Sequence, residues 1–218
     1  MPPSQPTSAT TPAPRSRTRI QRKNRKAILD AALDVFSQHG FRGATLDQIA
    51  EGAGLSKPNL LYYFPSKEAI HVALLTGLMD TWLDPLRDLD PDGDPVTELL
   101  AYVRRKLGMS RDFPRESRLF ANEILQGAPR MHEAILAELK PLVDEKAKII
   151  ANWVAAGRIA PVDPHHLVFT IWATTQHYAD FDIQVRLILG DTTDPIAGAE
   201  AHLQTLFRRL LAPAQSPR

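Results

Sequence analysis

The 218-residue chain has no cysteine. That excludes disulfides, thiolate zinc sites and a cysteine nucleophile. It has no apolar run near the roughly 18 residues of a membrane span, and no apolar h-region at its start, so a cytoplasmic protein with no membrane partner is expected. Strand alternation, internal repeats, a Gly-rich phosphate loop and a nucleophile elbow are all missing, and the Asp/Glu pairs are scattered on polar faces, which argues against an enzyme. His165-His166 and His177 hint at metal, but no second ligand pair stands at a matching spacing, and packed or solvated histidines are the commoner case. No cofactor is expected. Excess charge of one sign is also scarce, with a net balance of only +1. Its distribution is uneven: residues 1–70 carry ten Lys/Arg against five Asp/Glu, and residues 71–218 carry sixteen against twenty. A basic front on a mildly acidic body suits a DNA-binding head attached to a part that avoids phosphate.

What is present is helical periodicity broken by Pro and Gly, so the expected class is all-α with about nine helices. Met1 to Pro14 is Pro, Ser, Thr and Ala and is expected to be disordered, as part of an arm over residues 1–18. Arg15, Arg17, Arg19, Arg22, Lys23, Arg25 and Lys26 follow. Alone they would read as a solvated charge run; ahead of a DNA-reading motif they read better as a flexible basic arm along the duplex. Ile28, Ala31, Ala32, Val35 and Phe36 give the apolar face of a first helix closed by His39-Gly40.

Thr45 to Lys67, TLDQIAEGAGLSKPNLLYYFPSK, reads as two short helices around a Gly turn. Thr45 and Gln48 form a capping box, Gly52 and Gly54 stop the helix, and Ser56 caps the next one with Pro58 in its first turn. Leu60, Leu61 and Phe64 are expected inward, leaving Lys57, Pro58, Asn59, Tyr62 and Tyr63 outward. This is the helix-turn-helix pattern, whose second helix enters the major groove. Two packed core helices without a DNA role would be the plainer reading.

Ser66 starts a long fourth helix through Ile70, Leu74 and Leu78 to Trp82, expected to end or bend at Asp84-Pro85. Lys67 to Trp82 spans about 22 Å at 1.5 Å per residue. Further helices are expected near Val96–Ser110, Arg115–Leu125 and Pro129–Ala156, the last kinked at Pro141 unless two helices meet there. The final two are expected from Asp163-Pro164 to about Phe181 or beyond, and after Asp194-Pro195. The domains are then a head over residues 19–66 and a body over 67–218. In the body Trp172 and Gln176 share a helix face, and Trp82 could meet them. Indoles can stack on a flat ring while a Gln amide pairs with an imide edge, and Arg118 could donate to a second carbonyl. Against this, a helical Trp is usually core, a buried Gln often satisfies backbone, and Arg118 has Glu116 and Glu123 nearby.

The string AILDAALDVFSQHGF, then TLDQIAEGAGLSKPNLLYYF and PSKEAI, resembles the TetR family of transcriptional regulators. One departure is Leu61, where the family usually has a Tyr; it leaves phosphate contact mainly to Tyr62, Tyr63 and Lys67. With Thr45, Lys57, Pro58 and Asn59 these make the candidate DNA-contacting set. The Trp-Leu-Asp-Pro-Leu around Trp82, SRDFPRESRLFANEIL and IWATTQHYADF resemble a pyrimidine-responsive branch of that family. That resemblance implies a homodimer on operator DNA, dimerising through its last two helices, and released by uracil or thymine at Trp82, Trp172, Gln176 and Arg118. A TetR-like repressor answering another planar ligand is the alternative, because fold alone does not set the body's chemistry.

Overall fold

Helix starts are set by short polar residues that satisfy free amides. In the computed structural model, which describes residues 14–190 and 194–213 (backbone only for 14–18), Thr45 and Gln48 make the reciprocal capping box of α2 (Leu46–Gly52). The Ser56 hydroxyl accepts from the Asn59 amide to start α3 (Lys57–Tyr63), and Ser66 does the same for Ala69 in α4 (Lys67–Arg87). Three Asp-Pro pairs act alike. Asp94, Asp163 and Asp194 cap α5 (Pro95–Asp112), α9 (Pro164–Asp180) and α11 (Pro195–Leu211), each with Pro at the first helical position, where its missing N–H costs nothing.

A fourth pair, Asp84-Pro85, behaves differently from its expectation. α4 runs through it to Arg87. Leu83, Pro85 and Leu86 are buried there, Arg87 pairs with Asp80 and Asp84, and Arg105 donates to the Pro85 carbonyl. That packing and pairing offset the ~3 kcal/mol that Pro costs inside a helix. Pro141 does not end its helix either. α7 (His132–Ala134) passes through a π-helical turn, Ile135–Leu139, into α8 (Lys140–Ala155) with helical backbone angles at each junction. The wider turn absorbs the proline's missing donor. α9 ends about where expected, at Asp180, and Phe181, at φ −116° and ψ 28°, separates it from α10 (Asp182–Leu189).

Two further expectations change at the front. α1 (Pro14–Gly43) takes in the basic run, so the arm is wound into helix from Pro14 onward; the residues before it lie outside those described. Gly40, at φ 64°, ends the straight part of α1, and one more turn follows. With α6 (Pro114–Leu125), and with α7, the π turn and α8 counted as one continuous rod, the described residues form ten helices against the nine or so expected, and no strand.

Two hydrophobic clusters hold the molecule. One joins α1–α4 (Ile28, Phe36, Ile49, Leu60, Ile70, Leu75, Met79) to Leu119 and Met131 of the body. The other packs α5, α8, α9 and α11 around Leu99, Leu107, Ile150, Trp153, Ile171 and Phe207. α4 belongs to both, contributing Leu83 to the first and Leu86 to the second. A buried polar seam lies against the first cluster. Glu123 of α6, 3% exposed, accepts from the Arg130 amide and guanidinium, and Arg130 also meets Glu68 and lies 3.8 Å from the Phe41 ring centre. His71 sits between Phe36 and Phe41 with its Nδ1 unpaired, and burial pushes its pKa down to about 4. Among the described residues no helix is long and apolar enough to cross a membrane.

Candidate functional site

Two places concentrate the chemistry. The first is the outer face of α3. Leu60 is fully buried and anchors it, and Lys57, Pro58, Asn59 and Tyr62 are exposed. Thr45 caps α2 at its edge. Leu61, expected inward, is 38% exposed, because the turn of α3 that carries it faces away from α1 and α2. Lys57 pairs with Asp47 at 2.9 Å across the Gly turn. Tyr63 is half-buried; its hydroxyl accepts from Asn24 of α1 at 2.9 Å and keeps its own proton to donate. Lys67 is half-buried and donates to the Phe41 and Ala44 carbonyls, both at 2.7 Å. It therefore fixes the end of α1 against α4 and has one donor left. The structure adds a cleft the α3 motif does not announce, formed where Gln21, Arg22 and Arg25 of α1 face Tyr62 and Tyr63. Arg25 lies 4.3 Å from the Phe64 ring centre.

The second place is a cavity of about 700 Å³ at the seam between the two clusters. Trp82, Arg118, Trp172 and Gln176, named from three separate stretches, all line it. Met79 and Leu83 of α4, Phe120 and Ile124 of α6, and Ile135 and Leu139 of the π turn supply apolar wall. Trp82 stands edge-on to Phe120, with ring centres 5.1 Å apart. The Trp172 Nε1–H donates to the Tyr102 hydroxyl at 2.6 Å, which fixes the indole plane. Burial pushes the Tyr102 phenol pKa up, so it stays protonated. Trp172, Gln176 and Asp180 form one stripe on α9 at four-residue spacing.

Polar groups gather around Asp180. Its carboxylate accepts from Ser117 at 2.6 Å, and burial raises its pKa while Ser117, Arg118 and Lys106 pull it down. Arg118 donates to the Ala179 carbonyl at 3.1 Å, which leaves most of its five donors. The ion pairs considered from sequence are not made: Glu123 is taken by Arg130. The Gln176 amide makes no hydrogen bond with the described residues and borders the cavity. Lys106 and Asp180 join the site only in the structure. A signal existed for Lys106: it lies three after Val103 and four before Ser110, on the apolar face of α5. An apolar slot with a few convergent polar groups suits a small flat polar ligand.

Comparison with known proteins decides the family. Residues 28–74 match the family described as bacterial regulatory proteins, tetR family, and residues 75–214 match the YcdC-like protein, C-terminal region. The HTH-type transcriptional regulator RutR of Escherichia coli K12 is 53% identical over 176 residues, 81% of this chain and 83% of RutR. The chain belongs to the TetR family. It is a DNA-binding helix-turn-helix transcriptional regulator and not an enzyme. Solved structures share the fold. The regulator SCO4942 of Streptomyces coelicolor superposes with a TM-score of 0.67 at 25% identity, covering 86% of this chain and 98% of that one. AibR, solved with isovaleryl coenzyme A and operator DNA, gives 0.65 at 20% identity, covering 87% and 99%.

Proposed function

We propose that this TetR-family regulator is a homodimeric repressor of pyrimidine-catabolism genes. It leaves its operator when uracil or thymine occupies the cavity between Trp82 and Trp172. The observation that carries the reading is the Gln176 amide, unpaired at the wall of that cavity and four residues from an indole whose plane is already fixed. A uracil ring presents one N–H between two carbonyls; the Gln176 amide can accept from the N–H and donate to one carbonyl. Arg118 or Lys106 then donates to the other carbonyl, and the indoles cover the ring faces. The 53% identity to RutR and the pyrimidine-branch resemblance support the same assignment.

On the DNA side, Asn59 and Lys57 reach base edges, Thr45, Pro58, Tyr62 and Tyr63 position the helix, and the residual donor of Lys67 reaches phosphate. Two heads must sit about 34–36 Å apart to enter successive major grooves. Exposed Ile183, Leu187 and Ile188 of α10 and Leu206 and Leu210 of α11 offer an apolar face for the second copy. A base wedged against Trp82 shifts α4, which begins at the head, and so changes that separation. Calorimetric titration with uracil, thymine, cytosine and adenine tests the ligand. Saturable binding of the first two alone supports the reading, and binding of none of the four overturns it.

A further inference from the structure

Lys106 is an unusual wall for an effector cavity. It is 4% exposed, makes no ion pair or hydrogen bond through its amine with the described residues, and faces a mostly apolar space. Trp82 is 5.9 Å away, at the outer edge of cation–π reach. Among the described residues its charged neighbour of opposite sign is Asp180, which makes no direct ion pair with it and is held by Ser117. A surface lysine is protonated and unreactive at neutral pH; a desolvated one beside an acid is the arrangement that forms Schiff bases.

We propose that Lys106 captures small aldehydes in this cavity as a reversible imine, giving the regulator a covalent signal beside its non-covalent one. The Nζ lone pair attacks the carbonyl carbon, a C–N bond forms as the C=O π bond opens onto oxygen, and the oxygen takes a proton from the nitrogen to give a carbinolamine. The C–O bond then breaks as Asp180 donates a proton to the departing water, and the iminium nitrogen returns its second proton to the Asp180 carboxylate. The products are an imine and one water; adding that water back releases the aldehyde and the amine. Nothing is oxidised or reduced. Burial lowers the Lys106 pKa to about 8 and raises that of Asp180, so each group is nearer the protonation state its step needs. The apolar wall limits water and favours the dehydrated adduct. An adduct on α5 lies against Trp82 of α4, the rod that begins at the DNA head.

Imine formation needs the cavity and its amine; it does not need pyrimidines to be the effector. The test is reductive trapping of the full chain with propanal and cyanoborohydride at pH 8, read by peptide mass spectrometry. All the other lysines serve as internal controls. At that pH an ordinary lysine is neutral in well under about one molecule in a hundred, and burial shifts Lys106 towards the neutral amine. The expected result is propylation of Lys106 at least tenfold faster than of any other lysine. Labelling of surface lysines at equal or greater rate overturns the proposal. Saturating uracil that protects Lys106 alone places both ligands in one site. Selective trapping indifferent to uracil upholds the amine chemistry and counts against the pyrimidine reading.

Discussion

The head and the body use charge in opposite ways. On the head Arg22, Arg25 and Lys57 stand in water, where a charge is cheap to keep and weak one at a time. In the body Glu123 and Lys106 are almost wholly covered, where each charge must be answered by a particular partner or ligand. The head can therefore hold any duplex by summed attraction, and the body can discriminate between small molecules with few groups. α4 connects the two regimes, because its first turn carries Glu68 and Lys67 and its later turns carry Met79 and Trp82.

The contrast is easiest to break at its buried end. Glu123→Ala leaves Arg130 with only exposed Glu68, and the expected loss is about 3–5 kcal/mol of folding stability by urea denaturation. A loss under ~1 kcal/mol would mean that this pair behaves like a surface one. Next comes His71, kept neutral by burial with a pKa of about 4, below its ordinary 6.5. The unfolded chain binds this proton first, so the stabilisation is present above pH 6.5 and is lost as pH falls towards 4. The full difference is about 3 kcal/mol. Urea midpoints at pH 7, 5.5 and 4 should show that decline, and His71→Gln should flatten it between pH 6.5 and 4.5.

Smaller effects separate the two functional faces. Gln176→Ala should cost about 1–3 kcal/mol of uracil binding and abolish the effector response, with operator affinity unchanged when no base is present. A normal response would remove Gln176 from the site. On the head, Arg22→Ala should weaken binding similarly to all duplexes and lower the slope of log K against log salt by about 1. An unchanged slope would take the α1 cleft away from phosphate.

Legibility in the sequence followed the range of the interaction. Caps and turns join residues two to four apart, so Thr45–Gln48, Ser56, Ser66 and the starts at Asp163-Pro164 and Asp194-Pro195 are readable directly. The stripe Trp172–Gln176 was readable as one helix face for the same reason. Tyr63 and Lys67 read as free outward groups because their partners, Asn24, Phe41 and Ala44, lie 23 to 39 residues away. Leu61 read as core because a seven-residue helix offers too few positions to define its buried face. Pro85 reads as an end or a bend because the burial that sustains its turn comes from other helices. Lys106 escapes the sequence because a charged residue does not register in apolar periodicity, although its neighbours on α5 face inward.

The central claim is that a base in the body loosens the head from DNA. Fluorescence anisotropy of a labelled operator fragment, selected for binding to this protein, measures that directly as uracil or thymine is added at fixed protein and salt. The account predicts a saturable fall in affinity of some 5- to 150-fold, with cytosine and adenine inert. An operator affinity that stays constant while calorimetry shows the cavity filled would contradict it.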